Sequence, residues 1–278
     1  MAYRPSPRPT FTGPAAIPYR DVTRHVWGEP ASGEVFDWIY ASTDLLHCLV
    51  FGVGPGQQFT HSAEFRTIFG ADEVLVVLEG TMAIANPQTG EVHLAETGEA
   101  VFFRKDTWHH AFAHGGTALR VLELYAPPPS AGTSGAYART QPYLERSTYA
   151  DDAILGRWPG APVSDTISVL DPRATRWRRE GTMLVGVLAS TDHITVARLL
   201  VDPSALSERR SYGGDALVYG IRGRLMARCF HAETVSVFEL DADDAVYVPA
   251  GAELELRNVG DAPAEAVLGV APRYLADQ

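Results

Sequence analysis

Apolar residues along this chain come in short bursts rather than at helical intervals. "LLHCLVFGV" (45–53), "VLVVLEG" (74–80), "MAIANP" (82–87), "EVHLAE" (91–96), "AVFFRK" (100–105), "WHHAFAH" (108–114) and "ALRVLELYA" (118–126) are each strand-sized and rich in β-branched or aromatic side chains. "NPQTGE" (86–91) supplies the Pro and Gly of a hairpin turn between two of them. No segment holds a helical period long enough for a substantial helix. The pattern predicts an all-β protein.

The pattern also repeats. "GEVFDWIYASTD" (33–44) aligns without gaps on "GTMLVGVLASTD" (181–192), an offset of 148. "GADEVLVVLEG" (70–80) aligns on "GGDALVYGIRG" (213–223) at 143, and "LRVLELYAP" (119–127) on "AEAVLGVAP" (264–272) at 145. The second copy is thus five residues shorter between the first two matches. Similarity in the same order indicates a duplication. It predicts an N-terminal arm at 1–17, a first barrel at 18–130, a linker at 131–165 and a second barrel at 166–278. The linker begins Pro/Gly/Ser-rich. Its aromatic continuation "YLERSTYADDAIL" (143–155) predicts packing on the barrels rather than a solvated tether.

Composition narrows the function classes. With 278 residues and 46% hydrophobic content, the chain can fill two cores. A formal charge of −11 with no run of Lys or Arg argues against nucleic-acid and anionic-membrane partners. No window reaches the ~18 apolar residues of a membrane span. "MAYRPSPRPTFTGP" places prolines where a secretory signal needs an apolar core. Cys48 and Cys229 lie far apart in apolar runs, which predicts buried free thiols and a cytoplasmic setting.

Chemistry enters at Glu73. A carboxylate in the otherwise apolar "EVLVVLEG" needs a metal, a cation or a proton, because burial of an uncompensated charge costs several kcal/mol. Glu73 is followed six residues later by Gly80, and "GEAVFFRKDTWHHAFA" (98–113) places His109 downstream. With the duplication, these segments resemble the cupin superfamily in its two-barrel form, the bicupins. Cupin barrels carry the motifs G-x5-H-x-H-x3-4-E-x6-G and G-x5-P-x-G-x2-H-x3-N. Counted on these, Arg104 takes the proline place, Asp106 the glycine place, His109 the ligand place and Ala113 the asparagine place. In the second unit Pro249, Gly251 and Asn258 are kept, but Leu254 takes the ligand place.

The resemblance implies two tandem cupin (jelly-roll, double-stranded β-helix) barrels. A cupin metal is held by two motif-one histidines, a glutamate and the motif-two histidine. Those places read Arg210, Tyr212, Ala216 and Leu254 in the second unit, which implies a degenerate, structural barrel. In the first unit Thr67 and Phe69 fall in the histidine places. Counted forward from "PGQQF", His61 lies near the first of them, with "SAEFRTIF" as an insertion. The expected metal set is therefore His61, Glu73 and His109, holding one divalent transition metal per chain (Fe, Mn, Zn or Ni).

His47, on a strand face with Leu45 and Leu49, is a fourth ligand or a proton carrier. Arg66, Arg104 and Trp108 are candidates for holding substrate. Bland alternatives stand beside each: His61 as a surface residue, Arg66 or Arg104 as a structural ion pair with Glu73, Trp108 as packing. His110 competes with His109, and the spacing favours His109 as the inward one. His114 and Glu64 are further candidates. The resemblance implies a metal-dependent enzyme acting on a small organic metabolite, with oxygenase, isomerase, lyase or cyclase chemistry. A metal-independent acid–base enzyme using Glu73 and His109, and a non-catalytic binding protein, are the alternatives. The expected partner is a small molecule, and a homodimer is compatible with the Pro-rich arm.

Overall fold

A computed structural model describes residues 6–29, 33–55, 57, 67–128, 156–157 and 165–276. His61, Glu64, Arg66 and the segment 143–155 lie outside the described residues. The first half supplies β1 (Ala15–Ile17), β2 (Thr23–Glu29), β3 (Gly33–Ser42), β4 (His47–Val53), β5 (Asp72–Glu79), β6 (Thr81–Asn86), β7 (Glu91–Glu96), β8 (Ala100–Phe103), β9 (His110–Ala113) and β10 (Leu119–Ala126). There follow β11 (Gly156–Arg157), β12 (Ile167–Leu170), β13 (Trp177–Glu180), β14 (Met183–Ser190), β15 (Thr195–Val201), β16 (Arg210–Ser211), β17 (Gly213–Arg222), β18 (Leu225–His231), β19 (Thr234–Leu240), β20 (Ala245–Val248), β21 (Glu253–Asn258) and β22 (Ala264–Arg273). Each apolar burst of the first unit became one strand. Two single 3-10 turns are the helical content of the described residues, and none of their helices is long and apolar enough to cross a membrane.

Each barrel closes a seven-stranded sheet on a four-stranded one. The first uses β12-β8-β5-β10-β4-β3-β2 with β11-β7-β6-β9, and the second β1-β20-β17-β22-β15-β14-β13 with β16-β21-β18-β19. Strand alternation sorts the side chains. Leu49, Phe51, Leu75, Val77, Val101 and Val121 fill the first barrel. Their neighbours Cys48, Val50, Val74, Val76, Leu122 and Leu124 face the other way and meet Val196, Leu217, Tyr219 and Val267 of the second. The two large sheets thus share one apolar layer. Both thiols are free and buried, as expected.

The edges do not respect the boundaries read from sequence. The arm strand β1 pairs with β20, in the second barrel. Reciprocally β12, inside the span read as the second barrel, pairs with β8 of the first. The arm also straps the barrels within the chain: the Ser42 N–H donates to the Pro9 carbonyl, while Phe11 meets Tyr247 at 5.3 Å between ring centroids.

Candidate functional site

Register fixes the site. Across the large sheet of the first barrel, Phe103, Glu73, Tyr125, His47 and Ser42 stand side by side on β8, β5, β10, β4 and β3. One step along β10 on the same inner face is Glu123, opposite Leu75 and Leu49. The interior of an apolar barrel therefore carries two carboxyls, a phenol and an imidazole in adjacent positions. His109 arrives from the segment before β9, with its backbone N–H donating to the Thr67 carbonyl at 3.0 Å. Asp106, counted into the motif's glycine place, does adopt a left-handed φ of 67°, like Gly251 at 80° in the second barrel.

Hydrogen bonds hold each imidazole. His109 Nδ1 contacts the Thr107 carbonyl at 3.1 Å. A carbonyl only accepts, so Nδ1 carries the proton and Nε2 keeps its lone pair. That Nε2 faces Glu73 Oε2 at 3.8 Å. Burial lowers His109 to about 4, so the ring is neutral at physiological pH and the contact is not an ion pair.

His47 is held differently. Its Nδ1 lies 2.8 Å from Ser42 Oγ, and the Arg8 guanidinium donates to that same Oγ at 3.3 Å. Ser42 is 1% exposed, and its hydroxyl, with one hydrogen and two lone pairs, can bond Nδ1 in either direction. His47 Nε2 is buried and has no hydrogen-bond partner. Burial, with the Arg8 charge, lowers His47 to about 3.

The carboxyls of Glu73 and Glu123 act on each other. Burial raises both above the ordinary range, and the neighbouring charge raises Glu73 further. Glu73 is 1% exposed, and its Oε2 has no hydrogen-bond partner. Aromatic rings line the rest. Tyr125 stacks on His47 at 4.5 Å and on Phe69 at 5.1 Å. Phe69 and Phe103 lie 6.1 Å and 4.5 Å from His109. Phe69, counted into a histidine place, thus sits where a second imidazole would, and fills it with an apolar ring.

The remaining candidates are elsewhere. Arg104 is 56% exposed at its side chain and pairs with Asp72 at 3.1 Å. Asp72 precedes Glu73 and so points through the opposite face, which means that the structural ion pair expected of Arg104 forms, but not with Glu73. Trp108 is buried and meets His110 edge-on at 5.7 Å, a packing position. Glu123, Tyr125 and Asp37 were not singled out from sequence. Asp37 is buried on β3 with its carboxyl raised by burial, against a hydrogen bond from Trp27.

The second barrel shows the same row emptied of chemistry. Val248, Ala216, Val270, Thr195 and Ser190 stand in the places of Phe103, Glu73, Tyr125, His47 and Ser42. The serine survives, now bonded to Thr195 Oγ1 at 2.9 Å. Its mouth is sealed by ion pairs from Glu180 to Arg178 and Arg210, with Tyr274 donating to Glu180. About 10 Å³ remains there, room for one water.

A metal is the group that the motifs imply. Among the described residues, no cluster of three or more His, Cys, Asp or Glu side chains is arranged to hold one. The two donors that do converge fit a divalent transition metal: a neutral imidazole lone pair beside a buried carboxylate oxygen with no partner.

No known family profile and no curated protein sequence matches the chain. Solved structures do. The oxalate decarboxylase of Lactobacillus farciminis in complex with formate has a TM-score of 0.64 and 14% identity, over 96% of this chain and 88% of that one. A variant of the Bacillus subtilis oxalate decarboxylase has a TM-score of 0.67 and 14% identity, over 97% and 80%. The fold is that of a bicupin. At such identity the likeness carries the architecture alone, and the chemistry rests on this chain's own residues.

Proposed function

We propose that this bicupin is a metal-dependent enzyme acting on a small organic acid or related metabolite inside its first barrel. The observation that carries this reading is Glu73 Oε2, buried without a hydrogen-bond partner and 3.8 Å from the lone pair of His109 Nε2. Glu73 and His109 would hold the ion, with His61 as the third donor expected from the motif count. A divalent ion so held supplies a Lewis acid toward substrate oxygen. The protein supplies the rest. His47 Nε2 orients a substrate oxygen, Glu123 keeps a proton beside Glu73 for transfer, and Phe69, Phe103 and Tyr125 exclude water. The structural neighbours are by name decarboxylases of a small dicarboxylic acid, and the Bacillus subtilis enzyme has Mn(II) centres. Both points support lyase chemistry on a carboxylate.

Elemental analysis of the full chain, purified without added metal, tests the reading. A near-stoichiometric transition metal, lost in both Glu73→Gln and His109→Ala, is expected. The same analysis unchanged in both variants would refute it.

The two buried carboxyls Glu73 and Glu123, both raised above the ordinary range by burial, favour a second reading, in which the carboxyl pair and His109 perform acid–base isomerisation, dehydration or cyclisation unaided. Its signature is turnover that survives chelation and fails in Glu73→Gln and Glu123→Gln. Small-molecule binding without turnover in the parent chain would leave a binding protein.

A further inference from the structure

Between the barrels lies a cavity of about 240 Å³, lined by both halves of the chain and without Glu73 or His109 in its wall. Each barrel sends one arginine into its wall. Arg120 of β10 reaches across to Asp243 at 3.0 Å. Arg198 of β15 reaches back to the Gly98 carbonyl. Gly98 and Asp243 are the same motif position in the two copies, 145 apart, and both have a left-handed φ. The cavity therefore straddles the pseudo-twofold relation of the barrels.

The arginines are not fully used. Arg198 also pairs with Glu265 at 3.0 Å, and Arg222 pairs with the same carboxylate at 3.1 Å. This network holds three guanidiniums against two carboxylates. Arg120 Nε and Arg198 Nε are both buried and have no hydrogen-bond partner. Arg198 itself is 8% exposed. Guanidiniums short of acceptors are stabilised by an anionic oxygen brought against the part of each group that lines the cavity. The rest of the wall joins the apolar side chains of Val76, Leu78, Ile221 and Val267 to the polar groups of Thr97, Tyr219 and Asp243. The volume is somewhat below that of drug-sized pockets, at roughly 300 Å³ and more.

We infer that this inter-barrel cavity binds a small carboxylic acid with a short apolar body, its carboxylate held by the guanidinium groups of Arg120 and Arg198. The apolar part of the wall favours an organic acid over an inorganic oxyanion, and the excess guanidinium favours a single negative charge. Such a ligand cements the two barrels and makes the stability of their interface respond to its concentration.

Titration calorimetry of the full chain with butyrate, succinate and inorganic phosphate tests this. One-to-one binding of butyrate, with succinate and phosphate at least tenfold weaker, is expected. Thr97 is exposed at the cavity rim, so Thr97→Trp plugs the entrance without touching either arginine and should abolish the binding. Arg120→Lys, which keeps a charge for Asp243 but loses the planar fork, should weaken it tenfold or more. Glu73→Gln should leave it unchanged. Absence of carboxylate binding up to about 10 mM, phosphate binding as tight as butyrate, or binding that persists in Thr97→Trp and fails in Glu73→Gln would each overturn the assignment.

Discussion

Leu124 packs directly onto Gly269, and the two residues are the same position of the repeated unit, 145 apart. They meet where the barrels' large sheets face each other. A Cβ on Gly269 would fall inside the contact shell of Leu124 Cδ2. A position that meets its own duplicate cannot be large in both copies, so one kept leucine and the other became glycine. Gly269→Ala is expected to destabilise the chain by about 1–3 kcal/mol through overpacking. In a Leu124→Ala background that penalty should vanish, giving an interaction energy of about 1 kcal/mol or more. Denaturant titration of the four proteins checks both figures, and additive penalties would show that the contact is not what limits residue 269.

Phe69 blocks what the motif would use. Its ring lies 6.1 Å from His109, and the motif count puts a histidine at this position. Phe69→His adds a nitrogen donor to the Glu73–His109 pair and should raise the affinity for Zn or Mn at least tenfold, read by competition with a chromophoric chelator. The matching change in the second barrel, Tyr212→His, should do nothing, because Ala216 and Leu254 offer no donors there.

The Ser42 hydroxyl is the hydrogen-bond partner of the His47 ring. Ser42→Ala removes that partner, and the Arg8 guanidinium, a donor only, cannot take over both of its roles. The 15N shifts of the His47 ring should change from a single fixed tautomer to a mixture, with melting temperature lowered by only a few degrees. A ring already mixed in the parent protein would remove His47 as a substrate donor.

How much of this the sequence held depends on whether the cause was local. The strands were legible because their alternation is written residue by residue. Glu73 and His109 were legible because motif spacing singles them out. Glu123 was not: one glutamate in "ALRVLELYA" looks like the solvated position of an amphipathic strand. The signal that would have found it is the duplicate, where Leu268 occupies the same place. Asp37 against Val185 and Tyr125 against Val270 carry the same signal. Position-by-position comparison of the copies separates interior chemistry from surface polarity in a way that neither copy does alone. The partner of Arg104 was misjudged because Asp72 and Glu73 are adjacent in sequence but face opposite ways. The exchange of β1 and β12 was invisible, since short edge strands are placed by long-range pairing rather than by their own residues.

That exchange has an anchor in Glu91. The carboxylate, 1% exposed, accepts from the backbone N–H groups of Thr166 and Ile167 at 2.9 and 3.0 Å, just where β12 begins. The hydroxyls of Thr89 and Thr166 add bonds at 2.6 Å each, and His93 Nε2 stands at 3.2 Å. Burial alone would raise the carboxyl. The bonds from His93, Thr166, Thr89 and Ile167 more than reverse this and hold it at about 2, against an ordinary 4.5. A folded value below the unfolded one means that the unfolded chain binds the proton first. The stabilisation is therefore complete above about 4.5 and is lost as pH falls toward 2. Glu91→Gln should cost about 2–3 kcal/mol at neutral pH. It should also flatten the acid limb, so that parent and variant converge near about pH 2 to 3. Urea titrations from neutral to acid pH read both effects. A constant difference across that range would mean that Glu91 holds β12 by shape rather than by charge.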